Sequence, residues 1–524
     1  MRTLTIIFVL CLLGSAPLAA QDDLPALRER LAAQQKQIEQ LTTALAEQQK
    51  LLEALTQKTA AAAAAPAQAA ATAPAAGKAA TSAPAAASPL QFALGSAYFT
   101  PVGFMDFTSV FRDTDPGTNI GTNFGSFPYR TAAATNANLS EFRMSPQNSR
   151  IGMRVDEMVK GAKVLGYWES DFLGGINNPP VGNLAVSTNS YPFRLRLFFV
   201  DVRKNKWEIL GGQSWSLMTP GRNGISPLPG DLFYSQVIDV NYIVGFPWGR
   251  IPEFRFVYHP SAKVTAAFAL DNPEQYIGGS GGAGVTVLPT AFATPYASEL
   301  NNGTTTLNVP NMHPDLIAKL AFDPSSKFHF EVAGVERTFE VYNPATAQRL
   351  TKNGGGGSAN VNFELAKGLR VVSNNYLSDG GGRYVFGEGP DVVVKGDGSL
   401  GLVHTDATSD GLEFTHKKTL LYAYYGMDWI GRYTVTDPSN GKLVGYGYTG
   451  SSNSQNRNIQ EYTIGFNQTL WKDAKYGALN IMGQYALFTR VPWYVASGTP
   501  SGTHMNEVWV NLRYTLPGSA PMLP

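Results

Sequence analysis

Cysteine and charge are both scarce in this chain of 524 residues. The single cysteine, Cys11, lies in an apolar run close to the N-terminus, and the rest of the chain has none. A disulfide-stapled secreted scaffold and a thiol-ligated metal site are therefore both excluded. Charged residues make up 15% of the sequence, with 41 basic against 40 acidic residues. This neutral balance gives no indication of a nucleic-acid partner or of a polybasic membrane anchor.

Long apolar runs are missing as well. Beyond residue 20 no stretch of about 18 apolar residues occurs, which excludes a transmembrane helix. A membrane-spanning β-barrel is not excluded, because its strands alternate apolar and polar residues and their hydropathy averages out. What the chain does contain is 53 Gly, 23 Tyr and 28 Phe, a mixture typical of many strands, many turns and aromatic-rich surfaces.

Residues 1–20 have the layout of a secretion signal. Arg2 is followed by the apolar run 4–13 and by the helix-breaking Pro17. This order of a basic start, an apolar middle and a small-residue end predicts cleavage after Ala20. We therefore expect the rest of the chain to act outside the cytoplasm.

Residues 21–58 carry a five-heptad repeat that predicts a coiled coil. The expected oligomerisation residues are Leu24, Leu27, Leu31, Ile38, Leu41, Leu45, Leu52 and Leu55, diluted by Gln34 and Gln48. A single amphipathic helix lying on another surface would show a wider apolar stripe, so self-association is favoured. Leu or Ile at both core positions departs from the usual dimer pattern and favours a trimer over a dimer. At about 1.5 Å per residue the coil would extend about 50 Å.

Residues 59–89 are almost wholly Ala, Pro, Ser and Thr, a composition that predicts a linker without a core. The remaining region, 90–524, shows strands with period-2 alternation. These strands are predicted at 103–113, 139–157, 162–173, 191–204, 206–218, 251–259, 262–272, 312–322, 327–342, 357–366, 369–378, 405–416, 418–430, 456–470, 477–490 and 504–515. The segment 405–416 is included as much for the parity of the strand count as for its pattern.

The connections between these strands alternate between short turns and long segments rich in Asn, Gly, Ser and Thr. A soluble sheet with one wet face would explain the alternation within strands, but it has no reason to keep its long loops at one end. An outer-membrane barrel has tight periplasmic turns and long external loops. We therefore predict an all-β fold, a 16-stranded antiparallel transmembrane β-barrel with an N-terminal α-helical coiled coil. Because sixteen is an even number, the first strand begins and the last strand ends on the same side of the membrane, which is the periplasmic side. The coil, which precedes the first strand, is therefore expected in the periplasm.

Charged residues on the strands should face the barrel interior, because at mid-membrane a charge on the lipid face costs about 2 to 4 kcal/mol. The predicted pore-lining residues are Arg143, Arg150, Arg154, Arg194, Arg196, Arg255, Arg513, Glu169 and Asp171. One face can hold both Arg143 and Arg150 only if the chain slips near Pro146. Guanidinium groups can dock carboxylates or phosphates in a bidentate manner. A transverse field between basic and acidic walls, and simple pairing within the wall, remain open alternatives.

The long connection 219–250 has a hydrophobic middle and charges that include Arg222, Asp231 and Asp239. A loop exposed to water has little use for such apolar residues. We expect it to fold inward as a constriction loop and to present Asp231 or Asp239 to the passage. A latch between protomers is the competing interpretation.

Signals for an enzyme or a metal site are weak. The six histidines are scattered without paired metal spacing, and the lipase-type Gly-x-Ser-x-Gly elbow is absent. The glycine runs 278–284 and 354–357 are expected to be loops that lack the residues of a phosphate-binding loop. We predict no catalytic residue, no metal and no cofactor, with a membrane hydrolase barrel as a remote alternative.

Several stretches together resemble the DcaP-like trimeric outer-membrane porins. The resemblance begins with residues 139–154 (LSEFRMSPQNSRIGMR) and 166–172 (GYWESDF), and continues at 212–216, 389–394 and 421–426. It implies a trimer of barrels with a periplasmic coiled coil and passive uptake of small anions such as dicarboxylates. It also implies pore roles for those arginines that lie within the matched stretches, Arg143, Arg150 and Arg154. One departure is the tail that follows Tyr514.

The resulting hypothesis is an outer-membrane porin for passive diffusion of small hydrophilic solutes, chiefly anionic ones. The expected partners are two further copies in a homotrimer, outer-membrane lipid and lipopolysaccharide, the solutes, and peptidoglycan through the coil, with no nucleic acid. The alternative is an envelope tether or adhesin whose coil is the working part and whose barrel is only an anchor. Against that alternative stands the arginine-rich interior, which an anchor does not need.

Overall fold

The computed structural model describes residues 36, 43, 50, 88–131, 134–174, 191–233, 236–280 and 282–518. The chain divides into two compact units, Met1–Ala83 and Pro84–Pro524. In the first unit Lys36, Thr43 and Lys50 are helical and exposed. The predicted signal peptide, the heptad core residues and residues 59–87 of the predicted linker lie outside the described residues, so the coiled coil stays a prediction.

The second unit is a closed antiparallel β-barrel. Its strands are β1 (Phe92–Leu94), β2 (Ala97–Arg112), β3 (Glu141–Ser145), β4 (Arg150–Val159), β5 (Ala162–Asp171), β6 (Arg194–Lys204), β7 (Trp207–Trp215), β8 (Arg250–Ser261), β9 (Val264–Asp271), β10 (Asp315–Ser325), β11 (Phe328–Asn343), β12 (Gln348–Ala366), β13 (Leu369–Asp379), β14 (Val392–Val394), β15 (Leu400–Leu402), β16 (His404–His416), β17 (Thr419–Ile430), β18 (Tyr433–Thr436), β19 (Leu443–Tyr446), β20 (Asn456–Asp473), β21 (Gly477–Pro492) and β22 (Thr503–Thr515). The short helical segments are Asn136–Asn138, Pro229–Asp231, Thr290–Ala293 and Gly382–Tyr384.

The barrel wall has sixteen strand positions, and the first pairs with the last. Strand β2 lies between β22 on one side and β3 and β4 on the other. Strand β1 only extends β2, and the hairpins β14–β15 and β18–β19 belong to loops. The predicted 16-stranded antiparallel barrel is confirmed, including the doubtful segment 405–416, which is β16.

The second wall position is interrupted, as predicted near Pro146. Strand β3 ends at Ser145 and pairs with the C-terminal half of β2. Strand β4 begins at Arg150 and pairs with the N-terminal half of β2. Arg143 stands opposite Val110 and Arg150 opposite Phe104. Val110 and Phe104 are both on the inner face of β2, so the interruption turns both arginines inward.

One prediction about the loops is wrong. Residues 343–356 were expected to form a long connection, and the glycine run 354–357 to be loop. Instead β11 and β12 are joined by the turn 344–347, and these glycines lie within β12. A Cβ on Gly355 would collide with the Val335 carbonyl oxygen, so the glycines allow close strand packing. A run of glycines is typical of loops, but here hydrogen bonding to β11 holds these glycines in a strand.

The long connections leave one end of the barrel, which we call the loop end and which also carries the turn 344–347. The other short turns lie at the opposite end, which we call the turn end. The wall between them is apolar outside. On β8 exposed aromatic residues alternate with buried residues, namely Phe254, Phe256 and Tyr258 against Glu253, Arg255 and Val257. Such a face suits lipid, with polar side chains turned inward. Separately, no helix within the described residues is long and apolar enough to cross a membrane.

Candidate pore and inner loop

The connection between β7 and β8, residues 216–249, lies inside the barrel, and we call it the inner loop. Its backbone N–H groups donate to inward side chains from separate parts of the wall: Gly221 to Glu331 Oε1 (3.1 Å), Ile238 to Gln484 Oε1 (2.8 Å) and Val244 to Glu461 Oε2 (2.9 Å). These acceptors stand on β11, β21 and β20. The loop therefore crosses the interior of its own barrel.

Close backbone approach explains one glycine of this loop. Gly245 has φ +78° and presses against β16 and β17, where a Cβ would collide with the carbonyl oxygens of Thr408 and Met427. Only glycine combines a positive φ with such contact at no steric cost. Asn374 completes the contact by donating from Nδ2 to the Gly245 carbonyl oxygen at 3.1 Å.

Arg222 anchors the inner loop. Its guanidinium is buried and forms a two-pronged ion pair with Glu413 of β16, through NH1 at 2.7 Å and NH2 at 2.5 Å. Nearby, Lys319 Nζ donates to the Thr219 carbonyl oxygen at 2.9 Å. Sequence reasoning predicted that Arg222 belongs to a constriction loop, and in the structure its charge is paired with Glu413. Removing one partner of such a buried pair leaves the other charge uncompensated.

Asp239 of the inner loop is buried beside Glu507. Its Oδ1 accepts a hydrogen bond from the Asn241 N–H at 2.8 Å. Burial raises the pKa of Asp239 to about 7, and the negative charge of Glu507 adds to this effect. Of Asp231, the structure describes only the backbone, in the turn Pro229–Asp231.

Each arginine predicted to line the pore is paired with a wall carboxylate. The pairs are Arg143–Glu141 (2.6 Å), Arg150–Glu169 (3.8 Å), Arg154–Asp156 (2.7 Å), Arg194–Asp171 (2.7 Å), Arg196–Glu169 (2.6 Å), Arg196–Asp171 (2.9 Å), Arg255–Glu253 (2.6 Å) and Arg513–Asp106 (2.7 Å). The alternative of pairing within the wall thus describes the observed contacts.

Exposure separates these arginines into two groups. The side chains of Arg196, Arg255 and Arg513 are 0%, 2% and 5% exposed, so they lie within the wall. Those of Arg143, Arg150, Arg154 and Arg194 are between 14% and 41% exposed. Only the second group offers a surface to a passing solute.

Arg250 adds a cation that sequence reasoning did not assign to the pore. It opens β8 and lies over the rings of Trp215 (5.4 Å) and Trp248 (5.2 Å). Its NH1 has no hydrogen-bond partner among the described residues, and no carboxylate of that part of the chain pairs with it. The signal available in sequence was Trp248-Gly249-Arg250, where the aromatic residue can cover a guanidinium.

Arg250 completes a cluster of like charges, which we call the arginine cluster: Arg150, Arg194, Arg196 and Arg250. These four groups face two carboxylates, Glu169 and Asp171, which leaves a net formal charge of +2. The cluster surrounds Tyr242 of the inner loop, and Arg196 NH2 donates to the Tyr242 hydroxyl at 3.3 Å. Burial alone would raise the pKa of Tyr242, but the neighbouring arginine charges hold it below its usual value.

A cavity lies between the inner loop and the wall formed by β2, β4, β5 and β22. Its lining includes Phe104, Arg150, Glu169, Asp239, Tyr242 and Arg513. Arg150 of the arginine cluster and Asp239 of the inner loop therefore border one space. Among the described residues no group of three or more His, Cys, Asp or Glu side chains could hold a metal ion.

No family model matches the chain, and no curated protein matches it. Among solved structures, the outer membrane channel DcaP of Acinetobacter baumannii aligns with 81% of this chain and 98% of its own, with a TM-score of 0.58 at 15% identity. The fold is that of the DcaP channel. The predicted resemblance to DcaP-like porins is confirmed at the level of the fold. The anion-selective porin from Comamonas acidovorans aligns with 80% of this chain and 99% of its own, with a TM-score of 0.43 at 12% identity.

Proposed function

We propose that the protein is a porin of the bacterial outer membrane through which small anionic, dicarboxylate-like solutes diffuse passively. Support comes from the closed sixteen-stranded wall, its apolar exterior, its charged interior and the inner loop across it. The likeness to the DcaP outer membrane channel supports the same role. In this proposal the protein is a channel and not an enzyme.

The observation that carries the preference for anions is the arginine cluster. The wall as a whole is mixed in charge, because most of its arginines are paired. Beside the inner loop, however, four guanidinium groups outnumber two carboxylates. Such a local surplus in a confined space raises the concentration of anions there. Arg150 Nε and Arg250 NH1 are buried N–H groups without an acceptor among the described residues, and both could donate to a solute carboxylate.

Within this proposal the predicted pore residues take different roles. Arg143, Arg150, Arg154 and Arg194 would contact solute, together with Arg250. Glu169 and Asp171 would hold the arginines in place, and the buried Arg196, Arg255 and Arg513 would support the wall. Arg222 would hold the constriction loop, and Asp239 would border the passage.

Planar-bilayer recording tests this function. Under a salt gradient, the reversal potential of the purified protein should show anion preference, and dicarboxylates should reduce the current. Replacing Arg150 and Arg250 together by Ala should shift the reversal potential toward cation preference. The matched control is Arg349→Ala, because Arg349 is exposed at the start of β12 and distant from the cluster. Channels that are cation-selective, or a double variant with unchanged selectivity, would contradict the proposal.

The envelope-tether alternative makes a different prediction. A barrel that serves only as an anchor would show no solute-dependent current, and its phenotype would follow the coil at residues 21–58. The periplasmic stalk, the homotrimer, contact with lipopolysaccharide and binding to peptidoglycan belong to this proposal as its finer parts.

A further inference from the structure

Two exposed arginines meet at one tryptophan at the loop end of the wall. Arg432 follows β17 and Arg457 lies at the start of β20. Their guanidinium carbons lie over the Trp493 ring, 5.5 and 5.7 Å from its centroid. Both arginines are exposed, and among the described residues neither forms an ion pair or a side-chain hydrogen bond. We call Arg432, Arg457 and Trp493 the rim site.

The rim site lies on the outer face of the barrel. Trp493 continues the outward side of β21 after Thr489 and Val491, whereas Arg490 between them points inward and is buried. The Trp493 ring also meets the edge of the Trp429 ring, an outward residue of β17, with 6.1 Å between the centroids. The rim site therefore faces the surroundings of the barrel and not the pore.

The central ring of the rim site is fixed by its neighbours. Trp493 Nε1 donates a hydrogen bond to the Ile430 carbonyl oxygen at 2.9 Å. Gly447 packs closely on both side chains, since a Cβ there would lie 2.7 Å from Trp493 Cγ and 3.0 Å from Arg432 Cγ. Its φ of +74° also favours glycine. The indole and the stem of Arg432 are thus positioned before a ligand arrives, which lowers the entropy cost of binding.

The rim site lies just beyond the apolar band of the wall. On β20 the outward residues toward the turn end are Asn458 and Gln460, followed by the exposed Tyr462 and Ile464. Arg457 is five residues from Tyr462, which on a tilted strand corresponds to about 12 Å along the barrel axis. Tryptophan is enriched at the headgroup level of membrane proteins, because its ring suits the interface. The site is therefore placed among headgroups rather than in hydrocarbon.

Carboxylates at the same rim are occupied by another partner. Asp379 and Asp406, on the outward side of β13 and β16, contact the two ring nitrogens of His404 at 2.9 and 3.1 Å. Within the described residues they form no ion pair with Arg432 or Arg457. The positive charge of the rim site is therefore available to an external anion.

Two guanidinium groups beside one ring suit an anion with several oxygen atoms. A phosphate group can accept from both arginines at once, and each guanidinium can bind it in a bidentate manner. A lipid phosphate is confined to the height of the rim site, whereas a solute phosphate is not. We propose that the rim site binds a phosphate group of lipopolysaccharide. This inference rests on the outer-membrane placement in the proposed function, but it does not require conduction.

Native mass spectrometry of the full chain tests the site. Protein folded in detergent carries no lipopolysaccharide, and it would be titrated with lipid A, which bears the phosphate groups in question. Arg432→Ala with Arg457→Ala should bind lipid A about tenfold more weakly, because charge-assisted hydrogen bonds are lost. The control, Arg349→Ala with Lys352→Ala, removes two positive charges from exposed residues at the same end of the barrel and should bind like the unsubstituted protein. Heat-modifiable migration shows that each barrel is folded, and equal binding by all three proteins would overturn the proposal.

Further ligands identify what the rim site recognises. Dephosphorylated lipid A should bind the unsubstituted protein and the Arg432→Ala, Arg457→Ala variant equally. Inorganic phosphate should displace lipid A only in large excess, and phosphatidylglycerol should bind more weakly than lipid A. Displacement by equimolar inorganic phosphate, or equal binding of phosphatidylglycerol, would overturn the assignment to lipopolysaccharide.

Planar-bilayer recording of the same variant keeps this inference separate from the proposed function. Because the rim site lies outside the pore, the variant should retain the ion selectivity of the unsubstituted protein. A loss of lipid A binding with unchanged selectivity supports the rim site. Cation-selective channels with intact lipid A binding would contradict the proposed function and leave the rim site supported.

Discussion

At the scale of single residues, burial and pairing decide which charges of the barrel interior are available. Arg196 is buried between Glu169 and Asp171, whereas Arg250 lies over two tryptophan rings and has an N–H group without a partner among the described residues. Period-2 alternation in the sequence predicts which way a side chain points. It cannot predict pairing, because partners such as Arg194 and Asp171 are 23 residues apart in sequence and meet only across neighbouring strands.

Asp239 leads to a prediction about pH. Burial and the negative charge of Glu507 raise the pKa of Asp239 in the folded state to about 7, from the usual aspartate value of 3.8. A carboxyl group whose pKa is raised on folding binds its proton more tightly in the folded state. Its contribution therefore makes the folded state less stable as pH rises from about 4 to about 7. Asp239→Asn should remove this dependence and flatten the pH profile of the unfolding temperature.

The unfolding temperature would be measured by the heat-dependent electrophoretic shift of the barrel between about pH 5 and about pH 8. Asp397→Asn serves as the control. Hydrogen bonds from the Ser399 side chain and backbone lower the pKa of Asp397, so its titration lies below this window. A pH profile of Asp239→Asn that matches the unsubstituted protein would show that Asp239 does not titrate as described.

At the scale of elements, the strands could be predicted and several connections could not. Alternation and turn residues placed the wall strands, since each strand carries its own period, and the parity of the strand count helped to place the segment 405–416. Residues 348–356 were predicted as part of a connection and the glycines 354–357 as loop, yet pairing with β11 makes them strand. The hairpins β14–β15 and β18–β19 were missed because they are short and form inside long loops. The inward path of the inner loop was expected from its apolar middle, and its contacts show which wall strands hold it.

The inner loop should depend on its anchor. Arg222→Ala leaves Glu413 buried without its partner, which typically costs about 3 to 5 kcal/mol for a buried pair. We expect the loop to loosen, with a larger single-channel conductance and a lower unfolding temperature. Replacing both residues, Arg222→Met with Glu413→Leu, removes the charges together and should destabilise the barrel less than Arg222→Ala alone. An Arg222→Ala channel with unchanged conductance and unfolding temperature would mean that this ion pair does not hold the loop.

At the scale of the whole molecule, closure of the wall and the division of the chain matter most. Strand β2 pairs with β22, from Phe104 opposite Thr515 to Arg112 opposite Glu507, so the first and last wall strands meet and the barrel has no free edge. The compact unit Pro84–Pro524 contains all of this pairing, and the predicted coil belongs to the other unit. Loss of the coil should therefore leave the barrel folded.

Deletion of residues 24–58 tests the stalk. The barrel should still insert and conduct, because its strands and inner loop are complete without this segment. We expect a less stable trimer and loss of co-sedimentation with peptidoglycan, since the predicted coil would supply both. Electrophoresis in mild detergent and sedimentation with purified cell wall measure the two effects. Barrels that still form equally stable trimers and co-sediment would leave the stalk without either role.

The sequence by itself determined the strand count, the inward and outward faces and the expectation of a barrel, because alternation and turn chemistry are local properties. It also predicted the interruption at Pro146, since an odd spacing of arginines demands one. Only the tertiary structure decided which arginines are neutralised and that Arg250 joins the arginine cluster. These depend on the register of neighbouring strands and on the path of the inner loop, which bring together residues far apart in the chain.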